Sequence, residues 1–199
     1  MARGHADLDI VFARGVELRR RLEAIKDMLP QANVQFNQDG VELAAMDTSH
    51  IAFAQLIMKA EGFEKYRCDR AMTLGVDTRS LCSALKAGLS GSPADTAVTL
   101  RHYVGDENTL EVDIGFDASE HGQAVYQLRL LDIDDEKLRI PDMENSATIR
   151  MPSVTYRNLI RDRLGSAEEV TVTARPKERV VVFAGTGDNF KGRVAYQQP

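Results

Sequence analysis

The sequence predicts an α+β fold in which helices lie on one face of antiparallel sheets, built from a repeated strand-helix-three-strand unit. Three features carry this expectation. Short runs alternate apolar and polar residues, the period of half-buried strands. Three other segments place apolar residues 3.6 apart, the period of a helix with one buried stripe. The two patterns follow one another in the same order three times along the 199 residues, which marks an internal repeat.

In the first copy, residues 8–12 alternate as a strand, and 15–28 form a helix whose Leu18, Leu22, Ile25 and Leu29 share a stripe. Strands at 33–37, 41–46 and 51–59 follow, punctuated by Gln38-Asp39-Gly40 and Asp47-Thr48-Ser49. The second copy opens with an extended stretch at 64–76, where Tyr66 and Cys68 lead to Met72 and Leu74. Asp77 suits the N-cap of a helix to residue 87 that buries Leu81, Cys82, Leu85 and Leu89. Strands at 97–103, 109–116 and 124–131 complete it. The third copy has a strand at 147–151, a helix at 153–164 burying Tyr156 and Ile160, and strands at 169–174, 180–184 and 191–197. Residues 131–146 are acidic, have no clean period and carry spaced Leu138 and Ile140, which reads as a connector. The expected division is therefore 1–130 with two repeats, 131–146 linking, and 147–199 with one repeat.

A hydrophobic fraction of 43% with 28% charged residues suits a folded chain with real cores and excludes a disordered one. No apolar run reaches the length of a bilayer span, and the start MARGHADLDIVF holds acidic residues where a signal peptide needs an apolar core. An intracellular protein with no membrane association is expected. Cys68 and Cys82 lie in unlike contexts without metal-ligand spacing, which points to free thiols, no metal and no cofactor.

The net charge of -5 at first argues against a polyanionic partner, because phosphates are held by Lys and Arg. The charge is segregated, however. The three helices together hold nine basic and five acidic residues, leaving -9 on the remainder. Arg19 and Lys26, with Arg20 nearby, lie off the apolar stripe of the first helix. Arg79 and Lys86 do so on the second, and Arg157 and Arg161 on the third. One charged helix face is ordinarily just solvated, but three equivalent faces add into a cationic stripe. No helix carries a base-reading set, so such a stripe would track phosphates without reading sequence.

Enzymatic motifs do not assemble. Ser49 and His50 are adjacent, so their side chains diverge in a strand, and no third group completes a triad. The run GTGDNFKG at 185–192 lacks the Gly-Lys-Ser/Thr ending of a phosphate loop and reads as a hairpin turn. Asp132, Asp134, Asp135 and Glu136 do not match a calcium-loop spacing. His5, His102 and His121 stand alone. No catalytic residue is assigned.

Four segments in order, MDTSHIAFAQL at 46–56, EGFEKYRCDR at 61–70, LRLLDID at 128–134 with LRIP at 138–141, and RMPS at 150–153, closely resemble proliferating cell nuclear antigen, the eukaryotic DNA sliding clamp family. The likeness runs from about Leu8 to Tyr196. It implies a DNA-clamp fold and a nuclear, non-enzymatic processivity factor for DNA replication and repair. The family forms a homotrimeric ring around double-stranded DNA without sequence specificity, helices inside. Its partners are DNA polymerases, the clamp loader and other proteins with a clamp-binding peptide.

By the resemblance, the peptide docks on Met46, His50, Phe53, Leu138 and Ile140. Neighbouring subunits join through edge strands at about 121–129 and 191–198, here marked by Tyr126, Leu128, Val194 and Tyr196. Arg19, Arg20, Lys26, Arg79, Lys86, Arg157 and Arg161 would face DNA. Two positions where close relatives carry cations are Ser83 and Asn158 here. The lysine modified in the family falls at Lys177 or at the Arg175 position. Family members continue with a fourth unit and a tail, so this chain is expected to lack the final quarter. The alternative expectation is a truncated clamp-like regulatory protein that binds partner peptides, or joins mixed rings, without encircling DNA alone.

Overall fold

Alternation sets the strands and turn chemistry sets their order, and the computed structural model shows how the repeats combine. It describes residues 4–115, 122–134, 144 and 146–197. The chain divides into two compact units, Met1–Arg139 and Ile140–Pro199.

In the first unit the order is β1 (Ala6–Phe12), α1 (Gly15–Ile25), β2 (Gln31–Asn37), β3 (Gly40–Met46), β4 (Phe53–Lys59), β5 (Lys65–Cys68), β6 (Met72–Asp77), α2 (Thr78–Gly88), β7 (Val98–Tyr103), β8 (Asp106–Gly115) and β9 (Gln123–Arg129). Two antiparallel sheets result, β5-β1-β7-β8-β9 and β4-β3-β2-β6. Their composition is crossed. The opening strand of the first repeat, β1, pairs with β7 of the second, and the opening strand of the second, β6, pairs with β2 of the first.

The extended stretch expected at 64–76 is thus two strands in different sheets. Asp69 N donates to Asp7 O at the end of β5, and the chain then leaves for β6. Tyr66 ties the sheets together: its hydroxyl lies 2.7 Å from Asn37 O and 2.6 Å from Gly40 O in the β2–β3 turn. Burial, with the neighbouring Cys68, pushes this phenol up to about 12.

One core fills the unit. Leu18 and Leu22 of α1 and Leu81, Cys82 and Leu85 of α2 are buried against inward strand residues such as Ile10, Val34, Leu43, Leu100 and Val112. Asp77 caps α2, accepting from Ser80 N at 2.6 Å. The first helix is shorter than its periodicity predicts. It ends at Ile25, and Leu29 reaches the core from the turn beyond.

The second unit contains α3 (Ser153–Arg157), running on as a π-helix over Asn158–Arg163, then β10 (Glu169–Arg175), β11 (Val180–Gly187) and β12 (Phe190–Gln197) in one antiparallel sheet. The GTGDNFKG run is the β11–β12 hairpin, closed by the pair Gly187↔Phe190. Two expectations are corrected. Residues 147–151 form no strand; the counterpart β1 joins the sheet of a second repeat, and the described part of this unit offers one three-stranded sheet only. Tyr156 meets the buried Phe183 ring edge-on, with centroids 6.4 Å apart, yet stays 53% exposed, and Leu159 is buried instead. The wider π turn, bonded i to i+5, brings Leu159 and Leu164 onto the core with Phe183, while Ile160 is only partly buried.

Candidate functional site

Side chains of β2 and β3 alternate, so Val34, Phe36, Val41 and Leu43 point to the helices, while Asn33, Gln35, Glu42, Ala44 and Met46 face the other way. On that outer face lies a cleft of about 530 Å³, floored by Asn33, Gln35, Glu42 and Ala44 and bordered by Met46, Asp47 and His50 on one side and Ile133 and Asp134 on the other. The segment leading into the connector is pinned there. Leu131 N donates to Gly75 O at 2.8 Å, and Asn33 Nδ2 donates to Ile133 O at 3.1 Å. Gly75 permits this approach: a Cβ at that position would overlap Leu131 O.

The loop between β3 and β4 is shaped by one carboxylate. Asp47 accepts from Ile51 N at 2.9 Å, from Ala52 N at 2.8 Å and from the Ser49 hydroxyl. The Ser49 bond first, then the two backbone donors, lower its pKa to about 2. Within the loop His50 adopts φ +56°, and Ile51 is 85% exposed. Ser49 is therefore a loop brace, committed to Asp47 rather than to His50.

Of the residues singled out for docking, Met46 and His50 line the cleft. Phe53 opposes Met46 across the β3–β4 ladder but is not part of the lining, and Leu138 and Ile140 lie outside the described residues. Sequence reasoning missed Asn33, Ala44 and Ile133. The polar positions of β2 and β3 read simply as a solvated face, and only the pairing of Gly75 with Leu131 reveals that a segment crosses there.

Helices α1 and α2 pack side by side on the opposite face of this sheet. Arg20, Arg79 and Lys86 are exposed, and Ser83 sits between the last two. Arg19 and Lys26 are half-buried. Arg19 Nε is 3.6 Å from Glu23 Oε1, so its charge is partly offset. In the second unit Arg157 and Arg161 are exposed, and Arg161 Nε donates to Asp162 Oδ1 at 3.1 Å.

Both strands expected at a subunit interface end their sheets. β9 is the last strand of its sheet and β12 of its own. Tyr126 and Leu128 lean inward on the first core, and Val194 and Tyr196 on the second, all half-buried. The expected stretch at 121–129 begins at a residue, His121, that is outside the described ones. Arg175 ends β10 and Lys177 lies within the β10–β11 turn, where Arg179 has φ +53°.

Among the described residues no cluster of His, Cys, Asp or Glu is arranged to hold a metal, and no helix is long and apolar enough to cross a membrane. Both thiols are free, and burial raises the pKa of each.

Comparison with known proteins gives this geometry a context. Residues 8–137 match the family model described as proliferating cell nuclear antigen, N-terminal domain. The chain is also similar to the proliferating cell nuclear antigen of Chaetomium thermophilum, at 36% identity over 182 residues, covering 91% of this chain and 67% of that protein. Because the family match takes in both repeats of the first unit and the pairwise similarity extends over nine-tenths of the sequence, the chain belongs to the proliferating cell nuclear antigen family.

Proposed function

We propose that the chain is a subunit of a DNA sliding clamp: a nuclear processivity factor that closes into a homotrimeric ring around duplex DNA and docks replication and repair enzymes. The observation that supports the reading beyond family membership is that β9 and β12, two of the strands that end sheets among the described residues, each carry half-buried apolar side chains along an unpaired edge. An unpaired edge is an aggregation liability unless another chain covers it. Head-to-tail pairing of β9 with β12 of the next copy covers both with a single kind of contact and, repeated, closes a ring.

In this reading no bond is made or broken. The ring is held on DNA by topology, and Arg20, Arg79, Lys86, Arg157 and Arg161, with Arg19 and Lys26 behind them, meet phosphates loosely enough to permit sliding. The acidic remainder of the chain keeps DNA from settling elsewhere. The cleft beside Met46 and His50 receives an aliphatic or aromatic anchor of a partner peptide, and Asn33 and Gln35 offer polar partners at its floor.

Topology supplies the test. The protein is loaded by a clamp loader onto a nicked circular plasmid, washed in high salt, and the plasmid is then linearised. A clamp stays on the circle and runs off the line. Equal retention on both forms would replace this reading with that of a clamp-like interaction protein, which docks peptides without encircling DNA.

A further inference from the structure

One charge on the floor of the cleft has no counter-charge among the described residues. Glu42 stands on β3, an interior strand with β2 and β4 both in place, so its flanks are set within the first unit. Gln35 lies opposite it on β2. Strand alternation turns the Glu42 side chain outward with Ala44 and Met46, and all three border the cleft. The carboxylate is half-buried and accepts from a neutral donor, Gln55 Nε2, at 2.8 Å. Among the described residues no Lys or Arg borders the cleft, whose other carboxylates are Asp47 and Asp134.

The three carboxylates differ in what they are committed to. Asp47 is bonded into its own loop by Ser49, Ile51 and Ala52. Asp134 is exposed on the segment that crosses the floor, and its main-chain carbonyl is what Asn33 meets, at 3.5 Å. Glu42 is held on a rigid strand, half out of water, with bonding capacity to spare: a carboxylate accommodates about four donors, and Gln55 supplies one. A partly desolvated charge without a counter-ion destabilises its site, and a cation delivered by a ligand recovers that loss. Spacing follows from the strand. Glu42 and Met46 are four residues apart on β3, which is about 13 Å by the rise of a strand. A peptide laid extended along β3 has the same rise and alternation. Its residue four from one seated at Met46 therefore comes over Glu42 with its side chain toward the floor, while a residue three away points off it.

We propose that Glu42 selects, among partner peptides, those carrying a Lys or Arg four residues from the aliphatic or aromatic anchor seated beside Met46, the cation pairing with its carboxylate. This selection rests on the docking reading of the cleft and adds to it the residue that decides which peptides are preferred. The hydrocarbon stem of a Lys or Arg lies over the small side chain of Ala44 while the charged head reaches Glu42. Charge complementarity favours the same partner: a cleft bordered by Glu42, Asp47 and Asp134 attracts a basic peptide and repels an acidic one.

The test is fluorescence anisotropy of the full-length chain with labelled Gly-Ser peptides that carry a single Phe anchor. Separate peptides place Lys, Ala or Glu four residues from the Phe, on one side or the other. One of the two Lys peptides should bind about tenfold tighter than its Ala counterpart, and the matching Glu peptide more weakly than either. The gain should shrink as salt is raised, and Lys three residues from the Phe should gain less than about twofold. Glu42→Gln, which keeps the shape and an acceptor for Gln55, should bring the Lys and Ala peptides within about twofold of each other. Glu42→Lys should reverse the order in favour of the Glu peptide. An Ala peptide that binds while Lys adds nothing overturns the proposal and leaves the docking reading standing. A Lys gain that survives Glu42→Gln overturns it too, since the cation then pairs elsewhere. Absence of binding by every peptide removes the docking reading and the proposal together.

Discussion

His102 Nδ1 lies 2.6 Å from Asp7 Oδ1, and both side chains are almost wholly withdrawn from water. The carboxylate accepts, so Nδ1 carries the proton, and Nε2 is buried without a partner among the described residues. The other carboxylate oxygen of Asp7 accepts from Arg70 Nε at 3.1 Å. Burial alone would raise the pKa of Asp7, but the bonds from His102 and Arg70 outweigh it, and the net shift is downward. The folded-state pKa is below the unfolded one. The stabilisation is therefore complete above the ordinary carboxylate range and is lost as pH falls through the lowered value. Asp7→Asn should cost about 2–4 kcal/mol at neutral pH and flatten the acid limb of the stability profile. Urea unfolding at a series of pH values measures both.

Asp47 works on a smaller scale, holding the 47–52 loop that presents His50 and Ile51. Its folded pKa is depressed to about 2, so the brace persists on acidification until the pH nears that value. Asp47→Ala should weaken docking of a partner peptide with an aliphatic or aromatic anchor about fivefold. Fluorescence anisotropy with the labelled peptide checks this, and Asp47→Asn should keep part of the affinity.

Gly75→Ala tests the pinning of the connector. The added methyl would meet Leu131 O, and the forced separation should cost about 1–3 kcal/mol. Loss of the Leu131 N to Gly75 O bond should appear as faster hydrogen exchange at the Leu131 amide, with protection of the β2–β3 ladder retained.

Charge reversal separates exposed cations from packed ones. Arg20→Glu, Arg79→Glu and Lys86→Glu should each lower DNA association and reduce the slope of log K against log salt by about one for every phosphate left without its cation, with stability changed by less than about 0.5 kcal/mol. Arg19→Glu should do more, destabilising the fold by about 1–2 kcal/mol, because that half-buried side chain faces Glu23. Salt-dependent anisotropy and thermal unfolding distinguish the two classes.

Much of the fold is legible in the residues alone. Each of the twelve strands among the described residues overlaps a run whose alternation marks it, Lys65–Cys68 and Met72–Asp77 as one extended stretch. Asp77 and the Leu81, Cys82, Leu85, Leu89 stripe read correctly because a capping carboxylate and a 3.6-residue period are local signals. What sequence reasoning misses is non-local. Residues 147–151 have a strand's alternation but no ladder, since pairing depends on a neighbour that alternation does not reveal. Tyr156 faces Phe183 as the period suggests but stays half exposed, because a period marks a face and not how far its neighbours cover it. The floor of the cleft is hidden because Asn33 and Ala44 acquire a role only when residues from a distant part of the chain cross above them.

The crossed pairing of β1 with β7 and of β6 with β2 governs how the first unit can come apart. Neither repeat owns a complete sheet, so removing one withdraws the edge on which the other's first strand depends. Such an arrangement melts in a single step, with no half-formed species worth isolating. Its assembly waits on closing long loops, which makes it slow relative to a chain whose repeats fold one by one. A protease nick between the repeats would leave two fragments that remain associated until both unfold together.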